Sequence, residues 1–172
     1  MAHMQIPRER VCELTGKRLY DVIPTLRSIK VTLGLDGFVD EIISVVDKRR
    51  NHENYDAVRT IDHLGKKFAK AAGESSNYEL VVRQLKAGGN GPIMAGAFAA
   101  MGLSVTYVGN LGYPSIHPVF EDLAHRATVH SIGEPAHTDA LEFEDGKIML
   151  GKLTPLNDAN WDNLLMRVGK AS

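Results

Sequence analysis

The stretch Lys86–Gly112, KAGGNGPIMAGAFAAMGLSVTYVGNLG, decides how this chain folds. Gly88, Gly89 and Gly91 make a turn whose backbone can take angles closed to other residues and lets a ligand approach the main chain. Pro92 suits the first turn of a helix. The helix expected at 91–101 is built from small residues, with Gly96, Ala97, Ala99 and Ala100 allowing tight packing. Its first N–H groups can donate to ligand oxygens. Gly102 stops the helix, and a β-branched strand follows at Ser104–Gly109.

Outward from this stretch, helices and strands alternate. Val11, Leu14, Leu19, Val22, Ile23 and Leu26 have helical spacing within 10–29, where Pro24 would kink or divide the helix. A first core strand is expected at 30–35 and a second at 38–48, after a turn at Gly37. A charged turn at 47–54 leads towards a helix over 61–72, ended by Gly73. Tyr78–Lys86 alternates and predicts a strand. Downstream come a short helix at 118–126, a strand at 128–132, and a hairpin turning on Glu144-Asp145-Gly146. Asn157 or Asp158 is expected to cap a last helix through Met166, with Trp161 as a core anchor. The alternation argues an α/β domain with a mainly parallel sheet. The strands near 42–48 and 78–86 break that rhythm and predict a small separate sheet.

Two pieces of the chain resemble the ribokinase/PfkB carbohydrate kinase family. One is the glycine turn, Ala-rich helix and strand ending in Val108-Gly109-Asn110-Leu111-Gly112. The other is VTLGLDGFVDEII, Val31–Ile43, in which Asp40 looks like the family's sugar-binding acid and Asp36 lies just before it. The resemblance implies a ribokinase-like, three-layer, Rossmann-like sheet with a β lid over the sugar site. It implies phosphoryl transfer from ATP, with Mg²⁺, to a sugar or nucleoside hydroxyl. Asp36, Asp40, Gly88, Gly89 and Asn90 are the implied substrate-binding residues. The family pattern carries an asparagine five residues after Gly88, where this chain has Ile93. The family's Gly-Ala-Gly-Asp-like signature, which supplies the catalytic base and an anion hole, has no counterpart here. Residues 1–172 are therefore expected to be a partial kinase domain, cut before the nucleotide-binding part and inactive alone.

Each candidate has a plainer reading. Asp36-Gly37 is a common turn pair, and a glycine turn often only precedes a helix. Asn110 is expected to bond its own turn. The scattered histidines show no His-Glu-x-x-His pattern and read as surface or loop residues. Lys66, Lys67 and Lys70 read as a solvated helix face. A non-catalytic sugar-binding or assembly module stays open as a second function. A dinucleotide site over Gly88–Gly91 ranks third, because the Gly-x-Gly-x-x-Gly spacing is missing and no acid ends the strand at 104–109.

Composition bounds the partners. Hydrophobic residues make up 44% and charged residues 24% of 172, as in a globular domain with a sizeable core. A net charge of −1 gives no basis for a nucleic-acid or anionic-membrane partner. No run reaches the roughly 20 apolar residues of a membrane span. The N-terminus has no apolar signal core, and its Ala-His-Met start gives His3 no role. The lone Cys12 excludes an intrachain disulfide and fits the cytoplasm. Apolar residues on the lid strands predict a face that covers the site or pairs two copies in a homodimer.

Overall fold

The structure is a computed structural model that describes residues 7–169. In chain order the elements are α1 (Arg8–Leu26), β1 (Lys30–Leu33), β2 (Phe38–Arg49), β3 (Tyr55–Ala57) and α2 (Ile61–Lys70). β4 (Leu80–Gly88), α3 (Asn90–Ala100), β5 (Ser104–Gly109), α4 (Glu121–Arg126) and β6 (Thr128–Ser131) follow. A hairpin of β7 (Ala136–Phe143) and β8 (Gly146–Lys152) precedes α5 (Trp161–Val168).

The strands form two sheets. β1, β5 and β6 make a parallel sheet in that order; β2 through α3 lie between β1 and β5 in the chain, and α4 lies between β5 and β6. Val105, Tyr107 and Gly109 are buried while their neighbours are less so, the period-two signature of a strand packed mainly on one face. Ala95, Phe120 and Leu123 close over Val105, Tyr107 and Val39 as one core. The small side chains of α3 allow this close approach.

The expected lid strands do lie apart from the parallel sheet. They belong to a mixed sheet of five strands, because the β7–β8 hairpin joins it. β2 is its hub, paired antiparallel to β3 and β4 and parallel to β7. Ile43 and Val45 on β2 pack with Val58, Leu64 and Leu141 in a second core. Asp145, at the hairpin tip, accepts from the Ile61 amide at 3.0 Å and so serves the start of α2. Thr60 caps the same helix through His63.

Several expectations are corrected. β2 runs on through Arg49, so the charged turn is shorter than 47–54. β4 ends on Gly88, not Lys86, and α3 starts at Asn90. Asn160, rather than Asn157 or Asp158, caps the last helix by accepting from the Asn163 amide at 2.9 Å. Trp161 is 68% exposed and anchors no core. Lys67 is not a solvated face residue: it binds Asp47 at 2.5 Å, and that hydrogen bond is the main cause holding the Asp47 carboxyl below its usual range. Pro24 lies inside α1 without ending it, and no residue of α1 is buried.

Candidate acceptor-binding site

The site forms where the two sheets meet. β1 ends at Leu33, and the chain turns through Asp36-Gly37 to enter β2. The turn is pressed onto the end of β5, where the Asn110 amide donates to Leu35 at 3.1 Å. This places Asp36 outside the carboxyl ends of the parallel strands, where ligands of open α/β sheets bind. Asp40 stands three residues into strand β2. Its register neighbours are Lys86 on β4 and Thr138 on β7.

The antiparallel pairing of Phe38 with Gly88 carries the glycine turn to the same place. A methyl group on Gly88 would fall 2.5 Å from Oδ2 and 2.7 Å from Oδ1 of Asp40. One on Gly89 would fall 2.7 Å from Oδ2 of Asp36. The two carboxylates occupy the space that side chains here would take. Gly89 also has a φ of 92°, in the region that favours glycine.

The four residues Asp36, Asp40, Gly88 and Gly89 therefore converge, although about fifty residues of sequence separate the pairs. Asn90 opens α3 beside them, with its side chain exposed. Oδ1 of Asp36 accepts from the Gly91 amide at 3.0 Å. Oδ2 of Asp36 and both oxygens of Asp40 receive no hydrogen bond from a donor among the described residues. Asp40 and Asp36 are only partly buried, so these acceptors face solvent. The Gly91 amide, which the sequence offers to a ligand, is already taken by a carboxylate of the chain itself.

Tyr107 is the residue that sequence reading passes over. It is fully buried, and its hydroxyl donates to the backbone oxygen of Asp36 and lies 3.4 Å from Oδ1. Burial, and then the neighbouring Asp36 charge, push its ionisation far above the usual range. The signal was a tyrosine at an inward strand position, whose hydroxyl must find a partner. Asn110 departs from expectation too. It is wholly buried, and its amide donates at 2.7 Å to Pro155, 45 residues away, rather than to its own turn.

Two negative charges beside the glycine turn make it a poor seat for polyphosphate. Among the described residues there is also no cluster of three or more His, Cys, Asp or Glu that could hold a metal ion. The dinucleotide reading of Gly88–Gly91 is not supported by its surroundings, where the two carboxylates stand over the glycines. No helix among the described residues is long and apolar enough to cross a membrane.

Known proteins resemble the chain as follows. The family model for prokaryotic ketohexokinase matches residues 17–172. A curated ketohexokinase from Haloferax volcanii is 32% identical over 142 residues, covering 81% of this chain and 38% of that protein. The nucleoside kinase of Methanocaldococcus jannaschii, an archaeal member of the ribokinase family, aligns with a TM-score of 0.39 and 11% identity over 73% of this chain and 38% of its own. Arabidopsis thaliana ribokinase, solved with ribose and ATP, aligns with a TM-score of 0.34 and 16% identity over 72% and 36%. The chain spans 38% of the length of the curated relative it matches.

Proposed function

The chain belongs to the prokaryotic ketohexokinase family, within the ribokinase/PfkB carbohydrate kinases, and from that premise we propose that residues 1–172 supply the acceptor side of a kinase acting on a ketohexose. The parent reaction moves the terminal phosphoryl group of ATP, bound with Mg²⁺, to a substrate hydroxyl. The acceptor oxygen would form the new bond to phosphorus while the bond from that phosphorus to the bridging oxygen of ADP breaks, and the hydroxyl proton would pass to a general base of the whole enzyme.

One observation carries this reading: the unpartnered oxygens of Asp36 and Asp40 converge over Gly88 and Gly89. Each carboxylate oxygen accepts from a hydroxyl, and an ionised carboxylate can serve two at once. The absence of side chains on the glycines leaves the room in which the two carboxylates stand over the turn. Asn90 offers an amide donor and acceptor at the rim. A neutral polyol suits this charge, and an anionic end would be repelled.

The oxygens of Asp36 and Asp40 account for the acceptor side of the reaction alone. The chain alone is therefore expected to bind the acceptor weakly and not to phosphorylate it. Calorimetric titration with fructose tests this, alongside an ADP-release assay. Asp40→Ala should weaken binding roughly tenfold to hundredfold, the value of a charge-assisted hydrogen bond of about 1.5–3 kcal/mol. Fructose-dependent ADP release by this chain would sink the assignment. Tight binding without turnover would favour the non-catalytic sugar-binding or assembly module.

The partner we propose besides the sugar is a second copy of the chain. β4 lies at a sheet edge with Leu80, Val82 and Leu85 each about half exposed. Free edges with apolar side chains invite pairing. Light scattering should give a dimer mass that Val82→Lys returns to monomer, and an unchanged monomeric mass in the parent chain would refute the pairing. The exposed, unpaired Cys12 fits a reducing compartment, and the cytoplasm is the location we propose.

A further inference from the structure

We propose that Tyr107 is a positioning residue of the acceptor site, which holds Asp36 so that Oδ1 belongs to the protein frame and Oδ2 is left for a substrate hydroxyl. The proposal rests on the acceptor-site reading above.

Three contacts fix the Asp36 turn. The Tyr107 hydroxyl donates to its backbone oxygen, the Gly91 amide donates to Oδ1, and the same hydroxyl lies 3.4 Å from Oδ1. Tyr107 is wholly buried, in the core cluster that also holds Val39, Ala95, Leu111 and Phe120. The phenol thus reaches from the core to Asp36, from a strand 71 residues away in sequence. Gly91 is required by the same arrangement, since a methyl there would overlap the Tyr107 hydroxyl and fall 2.5 Å from Oδ1.

The carboxylate group is planar, so fixing one oxygen and the backbone behind it fixes the other oxygen. Oδ2 is then aimed over Gly89 before any ligand arrives. Preorganised acceptors spare the ordering cost that a free side chain would impose on binding. Burial and the Asp36 charge keep the phenol protonated, so the donor is permanent. A purely structural tyrosine would satisfy its hydroxyl equally well on any nearby carbonyl. What distinguishes this one is that its partner is the residue that carries the site.

The test compares Tyr107→Phe with Val105→Ala, a cavity variant on the same strand and in the same core. Two readouts are taken on the full 172-residue chain: amide hydrogen exchange at Gly91 and fructose affinity. Tyr107→Phe should speed exchange at Gly91 by about tenfold and weaken fructose binding by roughly fivefold to tenfold, the scale of one neutral hydrogen bond. Val105→Ala should lower the melting temperature and leave both readouts in place. If the two variants behave alike at Gly91 and towards fructose, Tyr107 is only a core residue and the proposal falls. If Tyr107→Phe does not fold, the chain labelled with 3-fluorotyrosine decides the matter. The fluorine signal of Tyr107 should move in Asp36→Asn, and an unmoved signal overturns the proposal. A parent chain that binds no fructose overturns the role of Oδ2 and the acceptor-site reading together. Unchanged Gly91 exchange in Tyr107→Phe, with fructose bound normally, overturns the positioning role alone.

Discussion

Gly37→Ala should cost the chain on the order of 3 kcal/mol and lower its melting temperature by roughly 10 °C. A methyl group at this position would overlap the backbone oxygen of Asn110 and fall 2.9 Å from its carbonyl carbon and from Cδ2 of Leu111. A flexible side chain could swing aside, but a backbone carbonyl at the end of β5 cannot. The turn between β1 and β2 would have to lift off the parallel sheet, taking Asp36 with it. Gly65→Ala is the matched control, because nothing lies within 4 Å of its added methyl on α2. It should stabilise by about 0.5–1 kcal/mol through helix propensity. Differential scanning fluorimetry on the two variants would settle the contrast. A melting temperature for Gly37→Ala within two or so degrees of the parent would mean that the turn is not seated on β5.

Gly88→Ala should do the opposite, sparing the fold and damaging the site. The three atoms nearest its added methyl all belong to the carboxyl group of Asp40, at 2.5–2.7 Å. Asp40 can rotate away, so the strand pairing of β2 with β4 survives. Rotation removes both acceptor oxygens from the floor of the site. Fructose affinity should fall by at least about tenfold, as in Asp40→Ala, with little further loss in the double variant. Additive losses in that double-mutant cycle would separate Gly88 from Asp40 and defeat this account. The same titration on the parent chain supplies the reference.

Much of this architecture is legible in the sequence itself. Gly102 follows the end of α3, Asp145-Gly146 turns a hairpin, and the strand at 104–109 is bounded as its residues imply, whereas α2 ends at Lys70, short of the expected stop at Gly73. That Asp36, Asp40, Gly88 and Gly89 belong together is legible through the resemblance to the ribokinase/PfkB family. What escaped lay in residues whose local signal points elsewhere. Gly88 reads as a turn because glycine is depleted in strands, yet its pairing with Phe38 makes it the last residue of β4. Asn157 and Asp158 are as good as Asn160 as cap residues, and only the short 3₁₀ turn at Thr154–Asp158 moves the helix start onward. Trp161 reads as core by composition, but α5 places it outward. Tyr107 carries no local mark of its task, since its partner is 71 residues away.

The position of β2 as hub of the larger sheet has a consequence for the order of assembly. Its partners are spread along the chain, with β3 following closely, β4 later, and β7 only at Ala136–Phe143. During synthesis at roughly 5–20 residues per second, a nascent chain that has emerged through β2 waits several seconds for its parallel neighbour. In that interval Ile43 and Val45 lack the Leu141 they pack on in the finished protein. Pairings of such long sequence separation also belong to the slow, millisecond-to-second class of folding. The nascent β2 is therefore the segment a ribosome-associated chaperone would have most reason to shelter.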